Sequence, residues 1–373
     1  MRLFVSALAA ATVCAQGFPD AQRPPTGWTG PVFQMSQAYP AAPVTTEPKP
    51  WKSFDFKTQP AQYAKAVLDY CLEGNTGIDF RVQDNTVRKW YHAPWMHQSR
   101  EFLRGMTKER SSRPKELHPS QTTQWDNWGI GFYNPVGGHI LGRVWRDHDV
   151  PDPAAARFPD GSVAFKLLFT EATVAEVPFL TGTVEWDADV DRARNTAPRP
   201  KLRLLQIDIA VRDTRANATT GWIFGTFIYN GNAPGATPWA RMVPVGIQWG
   251  NDPTKIGTAT PLAETWINPD VLSGPVPLMQ HLGFEKRLNG PVDNPRSSCL
   301  SCHSTAGTPT SMTRGRIAQF PPANPTPAQL RLYFRNIKSG RNFASGFIPL
   351  DYSLQLQMGI FNSLPAPSRD EGP

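Results

Sequence analysis

The chain has 373 residues, of which 40% are hydrophobic and 18% are charged. This composition excludes an intrinsically disordered chain, and the length suffices for one large domain or two ordinary ones. The formal net charge is +7, but no nucleic-acid-binding motif accompanies it, so we expect no nucleic acid as a partner.

The first 15 residues have the pattern of a secretory signal peptide. Arg2 supplies the positive charge, residues 3–13 are apolar, and Ala15 ends a cleavage site of small residues. No later stretch is long and apolar enough to span a membrane. We therefore predict a mature protein without a membrane span that is periplasmic or secreted.

The segments after the signal predict an arm followed by an extension. Residues 16–60 are rich in proline, which favours an extended arm. Residues 61–134 predict a helical and aromatic N-terminal extension, with helices at Ala61–Leu72 and around Gln98–Lys108. Cys71, in the first of these helices, is expected to be a buried thiol.

The extension also contains a basic stretch. Between Arg88 and Lys115, Arg and Lys outnumber Asp and Glu by eight to two. This stretch indicates either a patch for an acidic redox partner or a solvated helix face.

From Gly137 the pattern changes to β-strands. The strand candidates are His139–Trp145, Ser162–Phe169, Leu202–Val211 and Gly221–Tyr229. Short strands at these intervals favour an antiparallel sheet within a β-rich domain at 135–315. Residues 316–373 predict a helical tail, with helices at Pro325–Ile337 and Tyr352–Asn362. The predicted fold class is α+β, a predominantly antiparallel sheet with peripheral helices.

The sequence Cys299-Leu-Ser-Cys302-His303 carries the most specific chemistry of the chain. Two thiols three positions apart can each form a thioether with one vinyl group of a haem, and the adjacent imidazole can coordinate the iron. In a protein with a predicted signal peptide, this motif predicts one covalently bound haem c with His303 as the metal ligand.

Three other interpretations of the two cysteines remain open. The pair could be a redox dithiol, although the βαβ setting typical of such motifs is absent. It could be half of a zinc site, although no further cysteine or histidine follows at the usual spacing. It could also form a simple disulfide in a protein without haem.

The second axial ligand of the iron separates the possible functions. A methionine, Met312 or Met358, would be typical of an electron carrier. The other histidines are each more typical of surface or core positions than of a second ligand.

Several pieces of the β-rich region follow one another in a recognisable order. They are Arg143–Asp147, Phe158–Lys166, Asp208–Asp213, Thr220–Phe227 and the haem motif. In this order they resemble cytochrome P-460 and its gas-binding relative cytochrome c′-beta, over about residues 138–307.

The resemblance implies roles for two further residues. In cytochrome P-460 a lysine is covalently bonded to the haem macrocycle, and Lys166 occupies the matching place. The distal carboxylate of the family, a proton acceptor in hydroxylamine oxidation, falls on Asp208. The iron would then be five-coordinate, with His303 on one side and a face open to a small ligand on the other.

The residues themselves leave both roles open. Lys166 lies in an apolar run, so it points either to solvent or into the protein, where an ammonium without a partner would have a lowered pKa. A neutral amine would be nucleophilic, as a cross-link requires. Asp208 lies between Ile207 and Ile209, either on the polar face of a strand or in a dry pocket that raises its pKa.

The resulting prediction is an exported mono-haem c-type cytochrome whose haem lies against one face of the sheet. It would oxidise hydroxylamine or another small nitrogen species, acting as a haem oxidoreductase, and pass electrons to a redox partner such as another cytochrome. The alternative is a non-enzymatic cytochrome c that transfers electrons or binds NO or CO. The sequence is compatible with a homodimer.

Overall fold

The structure is a computed structural model that describes residues 17–190 and 200–365. The predicted signal peptide at 1–15 lies outside the described residues. Within the described ranges, no helix has the length and apolar character needed to cross a membrane.

The described chain contains ten strands and five α-helices, together with short 3₁₀ turns. The strands are β1 (Thr107–Lys108), β2 (Asn127–Tyr133), β3 (Val163–Thr170), β4 (Glu185–Asp187), β5 (Lys201–Arg212), β6 (Trp222–Tyr229), β7 (Met242–Gln248), β8 (Thr265–Ile267), β9 (Gly307–Pro309) and β10 (Phe347–Pro349). The helices are α1 (Pro60–Leu72), α2 (Pro135–Val144), α3 (Cys299–His303), α4 (Pro327–Tyr333) and α5 (Leu354–Ser363).

Eight of the strands form one antiparallel sheet. Its order is β1-β2-β3-β5-β6-β7-β8, and β4 pairs with the first residues of β5. Strands β9 and β10 form a separate pair. This architecture confirms the predicted α+β class, and it confirms α1 and the strands predicted around β3, β5 and β6.

The two faces of the sheet have different surroundings. On one face Phe132 and Phe165 stack with ring centres 4.7 Å apart, and Trp90 from the N-terminal extension packs edge-on against Phe165. The opposite face carries Lys166 and Asp208, which are direct partners across β3 and β5 and therefore point the same way. One face thus packs into an aromatic core, and the other carries the paired charges of Lys166 and Asp208.

The predicted strand at His139–Trp145 is wrong, because these residues belong mainly to helix α2. The Asn134 side chain accepts a hydrogen bond from the Gly137 N–H at 3.0 Å, and Pro135 occupies the first turn. An N-cap followed by proline starts a helix, and this local signal outweighs the strand pattern of the apolar residues.

The helix predicted around Gln98–Lys108 is also wrong. The segment turns around the buried carboxylate of Glu101, which accepts hydrogen bonds from the backbone N–H groups of Leu103 and Arg104. Gly105 has a φ of +73°, a left-handed conformation that a helix cannot contain.

The basic stretch at 88–115 forms neither a helix face nor a free patch. Arg88 and Arg100 are buried and face acidic partners in Glu47 and Asp20. Three more of its cations form ion pairs: Arg104 with Asp79, Lys108 with Asp126, and Arg110 with Glu116. Most of this positive charge is therefore neutralised within the protein.

Candidate functional site

A cavity of about 320 Å³ lies between the polar face of the sheet and helix α3. Its wall contains all five residues predicted from the sequence to form a site: Lys166, Asp208, Cys299, Cys302 and His303. The volume lies in the range of cofactor and small-molecule sites. The fold therefore brings together residues that are up to 137 positions apart in the sequence.

Helix α3 is short, and its start is fixed by a capping box. The Ser298 hydroxyl accepts a hydrogen bond from the Ser301 N–H at 3.1 Å, and the Ser301 hydroxyl accepts one from the Ser298 N–H at 2.8 Å. The N–H of Leu300 donates to the side chain of Gln248 on β7. These bonds attach the motif to the sheet and direct both cysteines toward the cavity.

Both cysteines of the motif are free thiols, not a disulfide. The Sγ atom of Cys299 lies 3.9 Å from the hydroxyl of Thr226 on β6. Burial raises the pKa of both thiols, that of Cys302 to about 12. The described ranges contain no group of three or more His, Cys, Asp or Glu side chains placed to bind a metal ion together.

The imidazole of His303 has one occupied and one available nitrogen. Nδ1 lies 2.9 Å from the backbone carbonyl of Tyr352, which can only accept, so Nδ1 carries the proton. Among the described residues, none forms a hydrogen bond with Nε2. Burial lowers the pKa of His303 to about 4, so the ring is neutral. A neutral imidazole held in this way presents the Nε2 lone pair, as an iron or zinc ligand must.

A strained turn holds the carbonyl that accepts from His303. Asp351 and Tyr352 are consecutive non-glycine residues with φ of +44° and +69°. The buried carboxylate of Asp351 accepts hydrogen bonds from Trp222 Nε1 at 3.0 Å, from Phe158 N at 2.9 Å and from Gly340 N at 3.1 Å. Left-handed backbone in such residues is costly, and these three bonds offset that cost.

Replacing Asp351 with Ala is expected to lower the free energy of unfolding by about 3 kcal/mol, because several buried donors lose their acceptor. Urea denaturation monitored by circular dichroism measures this loss. Asp149→Ala, on an exposed side chain, serves as the control and should change stability by less than about 0.5 kcal/mol. Equal stability of the two variants would show that the turn does not depend on the Asp351 carboxylate.

Lys166 is surrounded by acidic groups on the cavity side of the sheet. Its ammonium lies 3.5 Å from Asp208 Oδ2 and 3.8 Å from Glu109 Oε1. Burial acts to lower its pKa, but Glu109, Asp208 and Asp293 together raise it above the ordinary value. Lys166 therefore points into the protein and is charged, and the lowered pKa expected of a lysine without a partner does not apply.

Asp208 is an acid of the cavity whose pKa is raised by its surroundings. Gln206 Nε2 and Thr226 Oγ1 donate to its Oδ1 at 2.7 and 2.9 Å, and its Oδ2 faces Lys166. Burial raises its pKa to about 6, against the opposing effect of Lys166 and with a contribution from Asp293. Asp208 thus lies half-buried on the cavity face of the sheet, and a carboxyl of this pKa can take up and release a proton near neutrality.

Several cavity residues had no signal in the sequence. Glu109 and Asp293 lie in irregular segments, and Tyr352 acts through its backbone carbonyl, so no spacing rule connects them with the motif. Met358 also lines the cavity, whereas Met312 and the six other histidines do not. The contacts between loops that bring such residues together are long-range and leave no local pattern.

Comparisons with protein-family models, with curated proteins and with solved structures find no match to this chain. The resemblance to cytochrome P-460 therefore remains a prediction from the sequence.

Proposed function

We propose that the chain is an exported mono-haem c-type cytochrome that oxidises hydroxylamine or another small nitrogen species. Cys299 and Cys302 would hold one haem through thioether bonds, and His303 would be its axial ligand. The observation that carries the proposal is the Nε2 atom of His303, which has no hydrogen-bond partner among the described residues, in a cavity that also contains both free thiols.

The remaining wall of the cavity suits a large, flat, apolar group. Aromatic side chains from several elements line it, among them Phe158, Trp222, Phe224 and Phe320. Ala164 and Ala210 are direct partners on β3 and β5, so the floor between these rings is made of small side chains. Aromatic walls over a flat floor offer the apolar contact surface that a porphyrin ring needs.

The polar end of the cavity supplies the acid–base chemistry. When bound, the haem would supply the iron site for the small nitrogen species and accept its electrons before a second cytochrome receives them. Asp208 would accept the proton that the substrate loses. Gln206 and Thr226 orient the Asp208 carboxylate through their hydrogen bonds to Oδ1, and Lys166 offsets its negative charge.

The charged state of Lys166 and the cross-link implied by the resemblance are alternatives. An ammonium is not nucleophilic, and a C–N bond to the macrocycle would also replace an N–H and a C–H bond, which requires a two-electron oxidant. The ammonium, 3.5 Å from Asp208 Oδ2 and 3.8 Å from Glu109 Oε1, is the state on which the acid–base chemistry above depends. A lysine peptide that stays attached to the haem peptide after proteolysis is the expected sign of the cross-link.

A second candidate function is electron transfer without catalysis. Met358 lines the cavity, so its sulfur is a candidate for the second axial ligand. In the structure this sulfur accepts a hydrogen bond from Arg316 Nη1 at 3.2 Å. Binding of Met358 to iron would give a low-spin spectrum that Met358→Ala abolishes. An open iron would give a high-spin spectrum in both the wild type and Met358→Ala. Binding of NO or CO without turnover of hydroxylamine would favour the gas-binding alternative.

The test of the proposal is expression with a haem-attachment system, followed by intact mass, optical spectrum and hydroxylamine turnover. A mass increased by one haem, together with a high-spin spectrum and turnover, is the expected result. A protein that contains no haem after such expression would overturn the proposal at its first step. A haem protein that does not oxidise hydroxylamine would overturn the catalytic part alone.

Replacing Lys166 with Gln should raise the pH midpoint of hydroxylamine oxidation above about 6, the pKa of Asp208 in the intact site. Without the ammonium, burial and Asp293 act on Asp208 unopposed and favour its protonated form. The pH profile of kcat measures the shift. Lys108→Gln, which removes the same charge from an exposed ion pair with Asp126, should leave the midpoint unchanged. Identical midpoints in the two variants would contradict the assigned coupling.

A further inference from the structure

Most of the net positive charge of the chain lies between Arg296 and residue 365. Residues 296–365 contain seven Arg and Lys residues and one acid, Asp351, whereas the whole chain has a net charge of +7. The cations are Arg296, Arg314, Arg316, Arg331, Arg335, Lys338 and Arg341. Asp351 is buried and bonded within the protein, so it does not offset this charge at the surface.

These cations differ from those of the basic stretch at 88–115. In the part of the chain that the structure describes, none of the seven forms an ion pair with a carboxylate, whereas most of the earlier cations do. Arg314, Arg316, Arg331, Lys338 and Arg341 are exposed. The segment 296–341 therefore carries positive charge that the described residues do not neutralise through ion pairs.

Two of the arginines lie directly against the wall of the haem cavity. The guanidinium of Arg296 lies 4.6 Å from the ring centre of Phe320, which lines the cavity. Arg316 donates to the sulfur of Met358, another lining residue, and lies 4.8 Å from the ring centre of Phe361. Stacking on aromatic rings holds each cation in place without neutralising it. These two arginines and the two aromatic rings they cover form what we call the arginine rim.

We propose that the arginine rim is the docking surface for an acidic redox protein that exchanges electrons with the haem. The proposal rests on the proposed function, because it needs a haem in the adjacent cavity. A carboxylate-rich partner would find uncompensated positive charge at Arg296 and Arg316 and apolar contact at Phe320 and Phe361. Charge of this kind attracts an acidic partner and orients it in the encounter.

The position of the rim favours a redox protein over other anionic partners. Electron exchange requires close approach to the cofactor, and the rim is built from side chains that touch the cavity wall. The basic stretch at 88–115, for which a partner patch was one of two interpretations, is the weaker candidate, because five of its eight cations form ion pairs. The C-terminal cations, and not the N-terminal ones, are thus assigned to partner binding.

The experiment compares two charge reversals in the full-length haem-loaded protein. Arg296→Glu/Arg316→Glu alters the rim, and Lys89→Glu/Lys115→Glu makes the same change in net charge at exposed residues of the basic stretch. Two readouts are measured at low and high salt: binding to poly-L-glutamate and the rate of electron transfer from the reduced haem to ferricyanide. Arg296→Gln/Arg316→Gln is the milder variant if the reversal lowers stability.

The rim variant should weaken poly-L-glutamate binding and slow electron transfer to ferricyanide, each by about tenfold at low salt. The control should change both by less than about threefold, and high salt should remove the difference. Equal effects of the two variants would overturn the proposal, because net charge alone would then explain them. Rim-dependent binding to phosphatidylglycerol vesicles that exceeds binding to poly-L-glutamate would also overturn it, in favour of a membrane surface.

Failure of the rim and failure of the haem proposal can be told apart. Binding to poly-L-glutamate does not need haem, so it reports on the rim even in a protein that fails to attach the cofactor.

Discussion

Replacing both Cys299 and Cys302 with Ser should abolish covalent haem attachment completely. A hydroxyl does not add to a haem vinyl group under the conditions in which a thiol does, so no thioether can form. Intact mass under denaturing conditions should show the polypeptide alone, and the c-type spectrum should be lost. Each single variant should retain haem through one thioether, in reduced yield.

The third cysteine of the described chain provides the control for this experiment. Cys71 is fully buried on α1 and does not line the cavity, so Cys71→Ala should retain any covalent haem. It should lower the free energy of unfolding by about 1 kcal/mol, because a small apolar side chain is shortened in the core. Haem that remains covalently bound in the double serine variant would contradict the assignment of the motif.

The strands of this fold were predictable where local pattern and burial agree. β5 and β6 consist largely of β-branched and aromatic residues between turn residues, and both were predicted within one residue at each end. The segment that forms α2 has similar apolar content, but Asn134 and Pro135 impose a helix start. The segment at 98–108 folds around the single buried carboxylate of Glu101, a tertiary effect that sequence periodicity does not report.

Five residues of the cavity wall were predictable from the sequence, three from the motif and two from the resemblance. Cys299, Cys302 and His303 follow from their spacing, and Lys166 and Asp208 from the resemblance. The structure makes these last two direct partners on neighbouring strands. Glu109, Asp293 and the Tyr352 carbonyl were not predictable, because each reaches the cavity through a loop whose path depends on the rest of the fold. Glu109 and Asp293 help to keep Lys166 charged, and the Tyr352 carbonyl fixes which nitrogen of His303 carries the proton.

The largest effect on catalysis is expected from Asp208→Asn, which should lower kcat for hydroxylamine oxidation by about 10²–10⁴-fold. Asparagine keeps the shape of the side chain but cannot accept the proton of the substrate. Intact mass and spectrum should remain those of the haem protein, which separates loss of the proton acceptor from loss of haem. Glu109→Gln is the matched control: it removes an acid beside Lys166 that is not bonded to Gln206 or Thr226, and its effect should be below about tenfold.

The direction in which kcat changes with pH is a second test of Asp208 as the proton acceptor. Asp208 must be ionised to accept a proton, and burial raises its pKa to about 6, so kcat should rise as the pH increases through that value. The charged or titratable groups that interact with it are Lys166, Asp293 and the Cys299 thiol. Lys166 stays protonated throughout this range because its pKa is raised, so the rise reports on the carboxyl. Asp208→Asn should remove the rise. A variant that kept both the wild-type kcat and the rise would exclude Asp208 as the acceptor and favour gas binding at the same haem.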